Sequence, residues 1–207
     1  MDAVGFDLER LQRQIRPLSL TEPVTASDAV ADYFAYYRID FERRLTGVDH
    51  YFGHFPSGRH EIVCHYFTVI APQATCFLFH GYFDHSGLYV HLIEYCLRRN
   101  CNVVIYDLPG HGLSTGERAS ISSFGEYEAV LRDALALFQP HAPHPWHAIA
   151  QSTGGAILMD YLLLQSVPTF DKAVLLAPLV RAAEWRWIKT AHFIGRHFLQ
   201  SVPRKFG

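Results

Sequence analysis

The sequence predicts an α/β fold: a mostly parallel β-sheet with an N-terminal hairpin and helices on both faces. After about residue 70, short apolar segments alternate with segments whose apolar residues recur every three or four positions. This alternation is typical of parallel strands joined by helical crossovers. Before it, Pro56-Ser57-Gly58 separates two strand-like segments and predicts the hairpin turn. The 207 residues, 49% of them hydrophobic and 18% charged, are enough for one globular core.

Two helices are predicted before the hairpin. One covers residues 6–16 and stops at Pro17, and the other covers residues 27–44 with Ser27 as its N-cap. Apolar residues at helical spacing in the second helix predict packing on the outside of the sheet. The remaining predicted strands cover residues 51–55, 61–69, 75–79, 102–106, 147–150 and 173–177, and the remaining helices cover residues 88–99, 123–138 and 154–165.

The most informative stretch is WHAIAQSTGG, residues 146–155. Ser152 lies between two small residues, Ala150 and Gly154, where a predicted strand passes into a predicted helix. This is the pattern of a nucleophile elbow, although Ala150 stands where Gly is usual. The helix would point unpaired N–H groups and its positive dipole end at the Ser hydroxyl. Taken alone, the stretch equally fits a helix with Ser152 as an ordinary N-cap.

Two further motifs follow predicted strands. In the first, which starts at His80, Gly81 permits a sharp reversal that aims the Tyr82 N–H into a cleft beside the Thr153 N–H. In the second, Asp107 can accept N–H groups from a loop rich in Gly and Pro. Because the carboxyl ends of parallel strands meet at one edge of a sheet, the three motifs predict a single site.

The segments HGYFDHSGLY, YDLPGHGLSTGER and AQSTGG, in this order and spacing, resemble the α/β-hydrolase fold. They are most similar to its branch of lysophospholipases, monoacylglycerol lipases and serine aminopeptidases, over about residues 47–180. The resemblance implies that Ser152 is the nucleophile and that the Tyr82 and Thr153 amides form an oxyanion hole. It gives a site-shaping role to His80, Gly81, Gly154 and Asp107.

The resemblance implies a serine hydrolase of carboxylic esters, such as lysophospholipids or monoacylglycerols, acting through an acyl-enzyme without a metal or cofactor. A peptidase, a small-ester esterase and a non-catalytic binding module remain alternatives. The family places its acid and its general-base His after later strands. We therefore expect a C-terminally incomplete hydrolase domain that is nearly inactive alone. Residues 1–48 would be a helical extension, residues 49–180 the partial core and residues 181–207 the start of a cap.

Other acids and histidines are better explained as structural residues. His85 and His111 lie in site-shaping loops, and Glu184 follows the last predicted strand but has no His to orient. Three more histidines surround the start of the elbow strand, at its far end: His141, His144 and His147. Without a base, a Ser hydroxyl is a poor nucleophile.

Composition limits the partners and the compartment. A net charge of −2 gives no reason to expect nucleic acid, and no secretory signal or membrane-spanning run is found. Four Cys without C-x-x-C spacing predict free thiols and a cytoplasmic location. Residues 181–207 combine an apolar stripe with six Lys or Arg against one acid. This tail predicts either a packed cap helix or a peripheral contact with the inner membrane surface.

Overall fold

A computed structural model describes residues 7–180, so the predicted cap at residues 181–207 lies outside the described residues. Among the described residues, no helix has both the length and the apolar character needed to cross a bilayer. The strands are β1 (Val48–Ser57), β2 (His60–Val69), β3 (Ala74–Phe79), β4 (Cys101–Tyr106), β5 (Trp146–Gln151) and β6 (Lys172–Leu176). The helices are α1 (Leu8–Gln14), α2 (Asp28–Tyr37), α3 (Phe41–Arg44), α4 (Val90–Leu97), α5 (Gly125–Phe138) and α6 (Thr153–Leu163), and a 3₁₀ helix at Ser86–Tyr89 precedes α4.

The six strands form one sheet in the order β1-β2-β4-β3-β5-β6. The first two form an antiparallel hairpin, β2 pairs antiparallel with β4, and the other pairings are parallel. The predicted hairpin and mostly parallel sheet are confirmed. Leu78 in the middle of the parallel part pairs with Ile105 on one side and Ile149 on the other. The loops that follow β3, β4 and β5 therefore leave the sheet at the same edge.

Helices cover both faces of the sheet, as predicted. Successive side chains of a strand point to opposite faces, so neighbouring residues of β3 contribute to different cores. Phe77 packs in the core beneath α5 and α6, together with Leu131 and Phe138. Leu78 packs in the core beneath α1 to α4, together with Ile93.

The prediction of one helix over residues 27–44 is wrong. Helix α2 ends at Tyr37 because Arg38 adopts a left-handed conformation, with φ 58°. The N–H of Ile39 then donates to the Phe34 carbonyl, and the chain turns before α3 begins at Phe41. Apolar spacing continues through the break because Phe34 and Phe41 are both buried, so the pattern does not reveal it. Ser27 precedes α2 but makes no capping bond.

The described sheet ends at an exposed strand. Every residue of β6 is exposed, and Val174 and Leu176 keep 49% and 44% of their surface open to solvent. Its one strand neighbour in residues 7–180 is β5. Apolar strands of parallel sheets are normally covered on both faces and paired on both sides. The predicted sheet is thus observed with an uncovered apolar edge at its C-terminal side.

Two buried histidines join the N-terminal helices to the hairpin. His50 of β1 and His65 of β2 share a hydrogen bond of 3.0 Å between their ring nitrogens. The carboxylate of Glu42 in α3 lies 3.3 Å from the other ring nitrogen of His50. Both rings are surrounded by aromatic side chains, including Phe34 and Phe67. Burial lowers the pKa of His50 and lowers the pKa of His65 further, so both rings are neutral at pH 7.

Because the pKa values of these two histidines are lowered in the folded chain, we predict that the fold becomes less stable in acid. An unfolded His has a pKa of about 6.5, so below that pH the unfolded chain binds more protons than the folded chain. The stabilisation is complete above about pH 6.5 and is lost as the pH falls toward the lowered folded pKa values. We expect the free energy of unfolding to fall between pH 7 and pH 5, by up to about 1.4 kcal/mol per pH unit for each His. Urea denaturation at several pH values measures this slope.

The matched variants are His65→Gln and His91→Gln. The first removes one of the buried rings and should reduce the slope, whereas His91 is exposed and its replacement should leave the slope unchanged. An equal slope in wild type and His65→Gln would contradict the prediction.

Candidate active site

Ser152 occupies a strained turn between β5 and α6. Its backbone has φ 48° and ψ −111°, a combination that lies outside the regions favoured by residues with a side chain. The turn is held by its own peptide groups: the Ser152 N–H donates to Leu176 (3.0 Å), and its carbonyl accepts from Leu179 (2.9 Å). Because the end of β6 and the loop after it fix these groups, the strain is maintained by the surrounding structure.

The Ser152 hydroxyl does not cap its own helix. Ser152 stands at the N-cap position of α6, yet its side chain accepts no bond from the first turn and bonds to no residue in the range 7–180. The N-cap alternative is therefore not what the structure shows. A hydroxyl that is held on a strained turn and has no partner is available to a ligand.

Gly154 allows the turn to press against the end of β3. A Cβ at this position would lie 2.6 Å from the Phe79 carbonyl oxygen and 2.7 Å from the His80 carbonyl oxygen. The Gly154 N–H uses the same contact and donates to the His80 carbonyl over 3.1 Å. Ala150, on the other side of Ser152, is fully buried, and the fold accommodates its methyl group. Position 154 therefore requires glycine, whereas position 150 accepts the methyl group of alanine.

Two backbone N–H groups near Ser152 have no partner. Among residues 7–180, neither the Tyr82 N–H nor the Thr153 N–H makes a hydrogen bond. Thr153 is the first residue of α6, whose dipole has its positive end there. Unpaired donors at a helix start favour a negatively charged oxygen.

The loop that carries Tyr82 turns back between Gly81 and Asp84. The Asp84 N–H donates to the Gly81 carbonyl, and the left-handed residue of this reversal is Phe83, with φ 62°, rather than Gly81. Gly81 instead makes room for the elbow side: a Cβ there would lie 2.0 Å from the Gln151 side-chain oxygen, so a larger residue would displace the end of that side chain.

His80 and Asp107 hold the loops together through hydrogen bonds to backbone groups. His80 is fully buried; its Nδ1 donates to the Gly81 carbonyl, and its Nε2 accepts the Leu108 N–H over 2.9 Å. Burial lowers its pKa, which keeps this neutral form. The Asp107 carboxylate, also fully buried, accepts the N–H groups of Ser86 (2.7 Å) and Leu113 (2.8 Å).

No other described histidine contacts the Ser152 hydroxyl. Nδ1 of His85 accepts the Gly87 N–H, and Nδ1 of His111 is bonded to the Pro109 carbonyl. His144 stacks on Trp146 at the start of β5, the end of that strand opposite to Ser152. Residues 7–180 therefore combine a partly exposed nucleophile candidate with two free amide donors, but they provide no base for it.

Comparison with known proteins identifies the family. Residues 70–205, about two thirds of the chain, match the family described as serine aminopeptidase, S33. The chain belongs to this S33 family. The resemblance noted in the three sequence motifs is therefore confirmed at the level of the family.

The S33 chain is also similar to curated lipases. It is 34% identical to the monoglyceride lipase of Rattus norvegicus over 113 residues, which are 54% of this chain and 37% of the relative. It is 31% identical to the phospholipase YtpA of Bacillus subtilis over 107 residues, covering 52% of this chain and 41% of that protein. The chain thus matches about two fifths of the length of these curated relatives.

Solved structures confirm the α/β-hydrolase fold for the S33 chain. A monoacylglycerol lipase from Paleococcus ferrophilus is 23% identical with a TM-score of 0.55, and the match covers 67% of this chain and 52% of that one. The α/β hydrolase GrgF from a Penicillium species is 15% identical with a TM-score of 0.57, covering 72% of this chain and 53% of that one.

The strained turn predicts an unusual effect of glycine at position 152. Glycine adopts positive φ without steric cost, whereas alanine keeps the Cβ that causes the strain. We expect Ser152→Gly to unfold at a higher free energy than Ser152→Ala, by about 1 kcal/mol after the entropic cost of glycine. Urea denaturation of the two variants measures the difference. Equal stabilities, or a less stable glycine variant, would contradict the strained conformation.

Proposed function

We propose that the protein is a serine hydrolase of carboxylic esters that acts through an acyl-enzyme on Ser152. The observation that carries this proposal is the strained backbone of Ser152, which holds a hydroxyl without a partner at the start of α6. Strain of this kind persists when the surrounding structure enforces it, and it is concentrated at functional sites. Membership of the S33 family supports a serine hydrolase, and similarity to monoglyceride lipases supports an ester substrate.

In the proposed reaction, the Ser152 Oγ attacks the ester carbonyl carbon and forms a tetrahedral intermediate. The N–H groups of Tyr82 and Thr153 stabilise its oxyanion together with the α6 dipole. When the intermediate collapses, the bond to the alcohol breaks, and the alcohol leaves with the proton from the hydroxyl. Water then attacks the acyl-enzyme and releases the acid, restoring Ser152.

A base must carry that proton, and the described residues do not supply one. The resemblance places the acid and the general-base His after strands that follow the elbow. The sheet in residues 7–180 has one strand after the elbow, β6, and it ends without either residue. In the proposal, the complete reaction therefore needs groups outside the described residues.

The proposed substrate is a lipid ester, such as a monoacylglycerol or a lysophospholipid. Exposed apolar side chains on two segments that adjoin the site support it. Phe83 follows Tyr82 on the oxyanion loop and is 75% exposed, and Leu179, whose N–H donates to the Ser152 carbonyl, is 44% exposed. An acyl chain would remove this surface from water, which contributes roughly 25 cal/mol for each Å² buried. The relatives named monoglyceride lipase and phospholipase agree with this class.

Acylation of Ser152 in the presence of imidazole tests the proposal. The chain 1–207 should hydrolyse p-nitrophenyl butyrate hardly faster than buffer, because an unassisted Ser hydroxyl is a poor nucleophile. Imidazole supplies a soluble base, so it should produce a burst of p-nitrophenol above the release that imidazole causes without protein, and it should add one butyryl group to the intact mass. Ser152→Ala should show neither effect, and Ser123→Ala, at an exposed loop position, should behave as wild type.

The outcomes separate the candidate functions. Acylation that survives in Ser152→Ala, or no acylation with imidazole, would contradict the proposed nucleophile. The non-catalytic binding module is the second candidate, and the lack of a base among residues 7–180 favours it. A module would bind a monoacylglycerol without acylation. A peptidase or a small-ester esterase would instead prefer peptide or acetyl substrates over longer acyl esters.

We further propose that the protein acts in the cytoplasm, at the inner membrane surface. Four free cysteines, three of them buried, support a reducing compartment. The basic residues of the tail support contact with anionic lipids. Neutralising Arg186, Lys189 and Arg196 should reduce co-sedimentation with liposomes that contain phosphatidylserine, while neutralising Arg10 and Arg13 of α1 should not. Equal co-sedimentation of both variants would favour a tail that packs on the domain.

A further inference from the structure

The hydroxyl of Tyr89 connects the two halves of the site. It accepts the Gly81 N–H over 3.1 Å, which ties it to the loop after β3. It also lies 3.1 Å from the Gln151 side-chain oxygen and 3.2 Å from an Asp84 carboxylate oxygen. Since a hydroxyl has a single proton, it donates to one of these two acceptors at a time.

These partners stand next to the residues that would carry the chemistry. Gly81 precedes Tyr82, whose N–H is one proposed oxyanion donor. Gln151 precedes Ser152, and its side-chain oxygen occupies the place where a Cβ of Gly81 would lie. The Tyr89 hydroxyl therefore lies between the loop and the elbow and bonds to both.

The Tyr89 hydroxyl keeps its proton, so it can act as both a hydrogen-bond donor and an acceptor. The Tyr89 ring is partly buried at the end of the 3₁₀ helix, and burial raises the pKa of its hydroxyl well above the ordinary value. At neutral pH it retains its proton, so it can donate to the elbow side while accepting from the loop side.

We propose that Tyr89 is a positioning residue, whose hydroxyl holds the His80–Gly81 peptide against Gln151 and so sets the position of the next N–H along the chain, that of Tyr82, relative to Ser152. This role rests on the proposed hydrolase function. It acts through the backbone of the loop, and Tyr89 itself touches no reacting atom. A displacement of the Tyr82 N–H by about 1 Å is enough to weaken stabilisation of the oxyanion.

Tyr89→Phe tests the role, with Tyr95→Phe as its control. Phenylalanine keeps the ring and removes the hydroxyl. Tyr95 lies on the exposed side of α4 with its ring against Arg99, and its hydroxyl bonds to no residue in the described part of the chain. Both variants remove one tyrosine hydroxyl, but only Tyr89→Phe breaks the connection between the loop and the elbow.

Two readouts are needed to separate positioning from simple stabilisation. Hydrogen exchange of the Gly81 amide, followed by NMR, should be about two- to tenfold faster in Tyr89→Phe, as expected for one lost hydrogen bond. Imidazole-assisted acylation of Ser152 by p-nitrophenyl butyrate should be roughly tenfold slower. Tm should fall by only about 2–4 °C. Tyr95→Phe should match wild type in exchange and in acylation.

A second variant tests whether Gln151 is the partner on the elbow side. Gln151→Met preserves the volume and removes the acceptor oxygen. If Tyr89 acts through Gln151, acylation by the double variant Tyr89→Phe/Gln151→Met should be about as slow as by Tyr89→Phe alone. Multiplied losses in the double variant would overturn the connection through Gln151.

The experiments distinguish failure of the hydrolase proposal from failure of the positioning role of Tyr89. No acylation of the wild type would overturn the hydrolase proposal and the positioning role with it. Normal wild-type acylation together with unchanged Gly81 exchange in Tyr89→Phe would overturn the positioning role alone. The same holds if exchange accelerates while acylation keeps its wild-type rate, because Tyr89 would then be a stabilising residue only.

Discussion

The close contact between α6 and the end of β3 determines the rest of the site. It exists because residue 154 is glycine. A Cβ at this position would lie 2.6 Å from the Phe79 carbonyl oxygen and 2.7 Å from the His80 carbonyl oxygen, so a residue with a side chain could not come this close. The Gly154 N–H then bonds to His80, and His80 in turn bonds to the loop after β4. One missing Cβ thus places three loops in fixed relation, with Ser152 between them.

Local sequence was sufficient to predict the elements that carry this contact. The apolar runs of β3, β4 and β5 are short and bounded by Gly, Pro or Asp, and the structure places them as adjacent parallel strands. The three motifs follow those strands, so the pairing register brings their first residues to one edge. The strained conformation of Ser152 was not predicted from the sequence and is seen only in the structure.

The sequence did not predict features that depend on contacts between distant residues. Arg38 breaks a helix whose apolar spacing continues undisturbed through the break, because both sides of the break pack into one core. No local pattern distinguished His50 or His65, and it is the pairing of β1 with β2 that brings their rings together. Tyr89 belongs to a recognised motif, but its partner Gln151 lies 62 positions away.

The uncovered strand β6 has a geometric consequence for whatever pairs with it. Its direction is the same as that of β5, whose last residue, Gln151, directly precedes Ser152. A strand added to it in parallel would run toward the same rim of the sheet, so the residue just beyond its last hydrogen bond would emerge on the side of the serine. The direction of β6 thus determines on which side of the sheet the residue after such a strand would lie, whatever the sequence of that strand.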